Sequence, residues 1–237
     1  MEKRSLGLVL ALVTIFISLP LLLAKPNNKN NGDCPKPRGK DCTTEEDREI
    51  MRCCLEKYKK GFDDVRGQGS PLPGQDPPTC QTDLDLAECL SKSKCYAGVN
   101  NALRLLILNQ LVFTKRVRIC QQKNFSRLLE EAEKEHLTGL SNIKEMESLP
   151  YDQCAQDVYL ECGREFREVL QSYPDGFRPS ELCFVFVHEG NCNTREAQKR
   201  NCGESAVLNR FKLNSFKAAG VVLPALCSLP DKAKRGN

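Results

Sequence analysis

Apolar side chains recur every three or four positions along much of the chain, which is the spacing of one face of an α-helix. A capping box at Thr43-Thr44-Glu45-Glu46 precedes the first of these runs, in which Ile50 and Tyr58 share a face, and it predicts a helix over about 44–61. The prolines and glycines of Asp63 to Thr79 predict an exposed loop after it. Thr82-Asp83 is then expected to cap a short helix, and another helix follows over about 96–118.

The same spacing continues in the last third of the chain. Tyr151 to Tyr173 is predicted to be one helix, and the very apolar Leu182 to Val187 is expected to lie in the core. Asn193 is expected to cap a further helix, and a last one over about 204–222 is predicted to end at Pro224. Alternating apolar runs bounded by hairpin turns are nearly absent. The pattern therefore predicts an all-α fold.

Residues 121–150 form a segment without cysteines between two cysteine-rich stretches. Leu128, Leu129, Ala132 and His136 mark one face of a helix and charged residues mark the other, with a break near Gly139. We interpret this segment as an amphipathic linker helix that packs across both neighbours. The alternative is a helix exposed to solvent that binds a partner.

The N-terminus has the layout of a secretory signal. A charged start is followed by an apolar run from Leu6 to Leu23 and by the small residue Ala24, which predicts a signal peptide over 1–24. An uncleaved membrane anchor is the alternative, because the run is long enough to span a bilayer. After it, 25–33 is expected to be flexible and 229–237 to be a basic tail, in which Lys234-Arg235 is a candidate processing site.

Fourteen cysteines, all after Ala24, give the strongest signal in the chain. An even number of cysteines in an exported protein predicts disulfides, and the absence of any Cys-x-x-Cys pair argues against zinc and redox sites. No metal or cofactor is expected. The seven predicted disulfides use Cys34, Cys42, Cys53, Cys54, Cys80, Cys89, Cys95, Cys120, Cys154, Cys162, Cys183, Cys192, Cys202 and Cys227.

The cysteine spacings indicate a repeat. Cys80-x8-Cys89 matches Cys183-x8-Cys192, and the last gap of each set encloses twenty-four residues. We therefore predict two related units, 34–120 and 151–228, with disulfides confined within each. The preferred alignment matches Cys42 and Cys53 with Cys154 and Cys162, and leaves Cys34 and Cys54 as an extra pair. An alternative alignment frees Cys53 and Cys54 instead, and the connectivity stays open.

The sequence contains few residues that are candidates for catalysis, metal binding or modification. The only histidines, His136 and His188, have neither metalloprotease spacing nor a recognisable nucleophile nearby, and no paired carboxylates are apparent, so no catalytic residue is predicted. Asn124-Phe-Ser is an N-glycosylation sequon. A net charge of +4 gives no reason to expect nucleic-acid binding, and no segment after the signal is expected to insert into a membrane.

The order Cys42-x10-Cys53, then Cys80-x8-Cys89-x5-Cys95 and a final Cys120, resembles small helical six-cysteine domains of nematode and arthropod secreted proteins. Cysteine-rich proteins of venom and haemolymph are similar in design. The resemblance implies a stable extracellular scaffold without catalytic residues. We therefore expect a secreted, non-enzymatic binding or effector protein with an extracellular protein target. The alternatives are a venom toxin that acts on a receptor or channel, and a secreted hydrolase whose site is not recognised.

Overall fold

The described part of the chain folds into eight α-helices and a short 3-10 turn before the last of them, and it contains no strand. The computed structural model describes residues 33–37, 42–65, 76–95, 98–121, 125–171 and 181–228. The predicted signal peptide, most of 25–33, the sequon at Asn124 and the tail 229–237 lie outside these ranges. So does most of the predicted loop between Asp63 and Thr79.

The helices confirm the all-α prediction. In chain order they are α1 (Thr44–Val65), α2 (Pro78–Lys92), α3 (Gly98–Arg116), α4 (Phe125–Lys134), α5 (Leu140–Glu147), α6 (Gln153–Gln171), α7 (Leu182–Lys199) and α8 (Ala206–Cys227). The 3-10 turn Cys202–Glu204 precedes α8. No described helix combines the length and the apolar character that crossing a membrane requires.

Helix α1 begins at the predicted capping box. The Glu46 N–H donates to Thr43 Oγ1 at 3.2 Å, and the Thr43 N–H donates back to Glu46 Oε2 at 3.0 Å. These two bonds satisfy backbone donors that have no partner within the first turn. The helix runs to Val65, four residues beyond the predicted end, and so takes in the start of the predicted loop.

The prediction that Thr82 and Asp83 cap the second helix is wrong. Helix α2 begins at Pro78, so Thr82 and Asp83 lie inside the helix and are buried rather than capping it. Proline suits this first position because its fixed φ fits a helix and its missing N–H would have had no partner there. The Thr82 hydroxyl donates to the Pro78 carbonyl at 3.3 Å, four residues back, which occupies the side chain that was expected to cap.

Helix α7 is longer than predicted. It runs unbroken from Leu182 to Lys199, so Asn193 is a buried residue in its middle and not a cap. The predicted core run is split between two environments. Leu182 and Val185 are buried, whereas Phe184 and Val187 are 70% and 44% exposed, because consecutive residues of a helix point in different directions.

The prediction that Pro224 ends the last helix is wrong, because Pro224 lies inside α8. A proline in a helix interior removes one backbone hydrogen bond. Here the following turn is held by side chains, since Leu226 is fully buried and Cys227 is bonded to Cys183.

The cysteine-free segment forms α4 and α5, with the break at Gly139 as predicted. Gly139 has φ +95°, a conformation that favours glycine. Leu128, Leu129 and Ala132 are buried, whereas His136 lies beyond the end of α4 and is exposed. The predicted apolar face therefore ends before His136.

One hydrophobic core draws residues from both cysteine-rich stretches, and residues from Cys34 onward belong to one compact unit. Helices α3 and α8 make the most extensive contact between elements. The rings of Phe113 and Phe211 stack with centroids 4.0 Å apart. Beside them, the Asn109 amide donates to the Phe211 carbonyl at 3.0 Å and to Ser215 Oγ at 2.9 Å.

All fourteen cysteines form disulfides, as predicted, and every bond stays within 34–120 or within 154–227. The pairs are Cys34–Cys53, Cys42–Cys95, Cys54–Cys89, Cys80–Cys120, Cys154–Cys202, Cys162–Cys192 and Cys183–Cys227.

The predicted extra pair, Cys34 with Cys54, is wrong. Cys34 bonds Cys53, and Cys54 bonds Cys89 of α2. Adjacent residues of a helix point about 100° apart, so Cys53 and Cys54 reach different neighbours. The lengths of the gaps between cysteines do not show which of the two bonds Cys34 and which bonds Cys89. With Cys54 rather than Cys53 set against Cys162, three bonds of the first stretch follow the same order as the three bonds of the second.

Candidate ligand-binding cavity

A cavity of about 690 Å³ lies among α1, α2, α3, α6, α7 and α8. Its volume is within the range of pockets that hold small organic ligands. Most of its lining is aliphatic or aromatic, and residues from both cysteine-rich stretches contribute to it.

Aromatic residues and glycines make the space. The ring of Phe62 packs against Tyr58 on α1 and against Phe166 on α6, with centroids 4.7 and 5.5 Å apart. Gly163 of α6 and Gly190 of α7 also line the cavity, and a Cβ atom added at either would meet no atom within 4 Å. Rings thus keep the helices apart, and glycines leave the volume between them unfilled.

Exposed apolar side chains surround the opening. Leu160, Val187, Leu213 and Phe216 line the cavity and are also 52%, 44%, 46% and 80% exposed. Large apolar residues this exposed are unusual when they gather at one place on a soluble protein. A ligand entering the cavity would pass them and cover part of their surface.

Three polar residues, Tyr58, Asp83 and Glu189, form what we term the acidic wall of the cavity. The Tyr58 hydroxyl donates a hydrogen bond of 2.9 Å to Asp83 Oδ1. Asp83 is only 5% exposed, and burial raises its pKa to about 7, although the bond from Tyr58 acts in the opposite direction. The negative charge of Glu189 raises the pKa of Asp83 further.

Glu189 of α7 completes the acidic wall. It makes no hydrogen bond or ion pair with any residue in the described part of the chain, and its apolar surroundings raise its pKa to about 7. Burial and the charge of Asp83 also raise the pKa of Tyr58 well above its ordinary value. Among the described residues of the lining, Lys212 is the one basic residue, and no ion pair there joins it to either carboxylate.

Further polar groups lie elsewhere in the lining. The Gln110 side chain donates to the Tyr159 hydroxyl oxygen. Asn193 is 5% exposed, and its Oδ1 has no hydrogen-bond partner in the described structure. The polar groups are few and set in an apolar surface, which is the composition of a binding pocket that orients its ligand.

The candidate residues considered in the sequence lie elsewhere. His136 is exposed and does not line the cavity. His188 Nε2 lies 3.6 Å from Glu165 Oε2, but this pair is outside the lining and the histidine side chain is 44% exposed. The sulfur atoms of Cys34, Cys54 and Cys89 lie within 4.8 Å of one another, and all three are oxidised in disulfides, so they offer no thiolate to a metal.

Sequence reasoning missed the acidic wall. Asp83 occupies the buried stripe of α2 together with Leu86, Ala87 and Leu90, at the three-, four- and seven-residue spacing of one helix face. An acid on an apolar stripe is a detectable signal, because buried carboxyl groups are rare without a partner. Glu189 gives a weaker signal, since it follows the apolar run that begins at Leu182.

Comparisons of this chain with protein-family models, with curated proteins and with solved structures find no match.

Proposed function

We propose that this chain is a secreted, disulfide-stabilised, non-enzymatic binding protein that holds a small, largely apolar ligand in its central cavity. The cavity carries the proposal, because a volume of about 690 Å³ lined mainly by apolar side chains and opening through an exposed apolar rim suits such a ligand. An unfilled cavity of this size reduces stability, since its lining atoms lose packing partners, and a bound ligand would restore those contacts.

Secretion and a repeated architecture belong to the same proposal. Seven disulfides suit an oxidising compartment, and the predicted signal peptide over 1–24 supplies a route to it. The common order of three disulfides in 34–120 and 154–227 supports the interpretation of two related units. Their shared cavity would make binding a property of the pair rather than of either unit.

Titration with a neutral apolar fluorophore tests the proposal directly. We expect N-phenyl-1-naphthylamine to bind the secreted full-length protein saturably, with one site per chain and a strong rise in emission. Gly163→Phe should abolish this binding, because the new side chain starts from open space at the cavity lining and fills part of it. A helical glycine also tolerates replacement without loss of helix propensity.

Gly220→Phe is the matched control. Gly220 is likewise inside a helix with no atom within 4 Å of an added Cβ, but it does not line the cavity. The fluorophore should bind this variant as it binds the native protein. Absence of saturable binding to the native protein, or equal binding by the two variants, would overturn the proposal.

One observation favours a second candidate, a secreted hydrolase. Asp83 and Glu189 are two carboxyl groups of one cavity with pKa values near 7, which suits general acid–base chemistry at neutral pH. Turnover of ester or glycoside substrates that Asp83→Asn and Glu189→Gln both abolish, with fluorophore binding retained, would support this candidate over the carrier. Binding without turnover supports the carrier.

A further inference from the structure

We infer that the cavity selects hydrophobic amines, taking the ammonium group of an apolar ligand against Asp83 and Glu189. This inference rests on the proposed function, and it specifies the chemical class of the ligand. Its basis is the kind of polar group that the lining offers and the kind that it lacks.

The acidic wall presents unsatisfied acceptors. Asp83 Oδ1 accepts from Tyr58, and none of the described residues donates a hydrogen bond to Asp83 Oδ2 or to either carboxylate oxygen of Glu189. Carboxylate oxygens have about four lone-pair directions between them. A ligand group with several N–H donors would satisfy them, and an ammonium group carries three.

The charged residues of the lining also favour an amine. Among the described residues of the lining, two carboxyl groups and one lysine are charged, and no ion pair between Lys212 and either acid is present in this part of the chain. An isolated carboxylate in apolar surroundings is unfavourable unless it meets an opposite charge. A cationic ligand supplies that charge, whereas the carboxylate of a fatty acid would add a third negative charge to the same cavity.

The aromatic lining suits the same ligand. Tyr58 of the acidic wall forms an edge-to-face pair with Phe62, and Phe166 continues the aromatic surface. Aromatic faces attract ammonium groups and also pack against apolar chains. The ligand would therefore place its amine at the acidic wall and its hydrocarbon part towards Leu103, Ile107 and the rim.

Binding of an amine should depend on pH. Asp83 and Glu189 have pKa values near 7 in the empty protein, so both are largely neutral at pH 5 and largely ionised at pH 8. The other titratable groups in the described lining of this cavity are Tyr58 of α1, Tyr159 of α6 and Lys212 of α8. Affinity for an amine should therefore rise over this interval.

Three ligands of equal chain length test the inference: decylamine, decanol and decanoate, each used to displace the neutral fluorophore from the full-length protein at pH 8. We expect decylamine to bind about tenfold more tightly than decanol, because a hydrogen bond to a charged group adds about one such factor over a neutral one. Decanoate should bind most weakly. The preference for the amine should shrink markedly at pH 5.

Glu189→Gln separates the headgroup effect from the cavity itself. This variant should lose most of the preference for decylamine over decanol and still bind the fluorophore. Glu168→Gln is the control, since Glu168 is 59% exposed on α6 and does not line the cavity, and it should keep the native preference.

The outcomes distinguish the two levels of the proposal. If the fluorophore and all three ligands fail to bind the native protein, the proposed function is wrong. If the fluorophore binds but decylamine and decanoate compete equally, or if Glu189→Gln keeps the native preference, the cavity is a binding site and only the amine inference is overturned.

Discussion

At the scale of single residues, the buried carboxyl group of Asp83 lowers the stability of the fold and offers an acceptor to the proposed ligand. Asp83 is nearly enclosed, and its only hydrogen bond among the described residues comes from Tyr58. A leucine at this position would fit the stripe of α2 and would avoid the penalty of a buried acid. The presence of the carboxyl group is therefore better explained by a ligand than by packing.

This penalty predicts a dependence of stability on pH. The pKa of Asp83 rises from 3.8 in the unfolded chain to about 7 in the folded protein. Between these values the unfolded chain releases a proton that the folded protein keeps, so the free energy of unfolding falls as the pH rises. Each unit of pKa difference corresponds to about 1.4 kcal/mol, so the decrease between pH 4 and pH 8 should reach a few kcal/mol.

Asp83→Asn should remove the part of this dependence that Asp83 causes, since asparagine keeps an oxygen for Tyr58 but cannot ionise. The part caused by the raised pKa of Glu189 should remain. Urea unfolding should show the variant close to the native protein at pH 4 and more stable than it at pH 8. The Glu168→Gln variant should follow the native curve, because Glu168 is exposed. A native protein as stable at pH 8 as at pH 4 would contradict the burial of an ionisable Asp83.

At the scale of helices, Asp47 links the start of α1 to the start of α3. Its carboxylate accepts from the backbone N–H groups of Val99 and Asn100 at 2.7 and 3.0 Å, and it is 6% exposed. A carboxylate at this place satisfies two free donors and favours the positive end of the α3 dipole. Gly98 has φ +62°, and a Cβ added there would lie 2.3 Å from Asp47 Oδ2. The cap therefore requires both residues.

Asp47→Ala should lower the free energy of unfolding by about 1–3 kcal/mol, because it leaves the N–H groups of the half-buried Val99 and the buried Asn100 without acceptors. Arg48→Ala is the control on the same turn of α1, since Arg48 is exposed. Hydrogen exchange should show the loss of protection concentrated in the first turn of α3. Equal stability of the two variants would show that water or another group replaces the cap.

The helices also show what the sequence could and could not predict. The start of α1 was predictable because a capping box is a local signal read within four residues. The end of α8 was less predictable, because Leu226 and Cys227 extend this helix beyond Pro224 through packing and a disulfide that depend on distant residues. Asp83 was recognisable as an acid on an apolar stripe, but its place in the same cavity as Glu189, 106 residues further along the chain, follows only from the packing of α2 and α7 around that cavity.

At the scale of the whole molecule, the disulfides connect residues within each cysteine-rich stretch, whereas the hydrophobic core connects the two stretches to each other. Each bond stays within 34–120 or within 154–227, yet Phe113 of α3 stacks on Phe211 of α8 and also contacts Tyr159 of α6. Asn109 adds hydrogen bonds across the same boundary. The two stretches should therefore unfold together, in one transition, even though no covalent bond other than the main chain connects them.

Phe211→Ala tests this coupling in the full-length protein. The side chain is 5% exposed, so its loss should lower the free energy of unfolding by about 3–5 kcal/mol without splitting the transition. Phe216→Ala, five residues further along α8 at a position that is 80% exposed, should change the free energy of unfolding little. Hydrogen exchange should reveal the mechanism, because removing Phe211 should weaken protection in α3 as much as in α8. If instead two transitions separate and the amides of α1 to α3 keep their native protection, the two stretches are independent domains that share a cavity wall without sharing a fold.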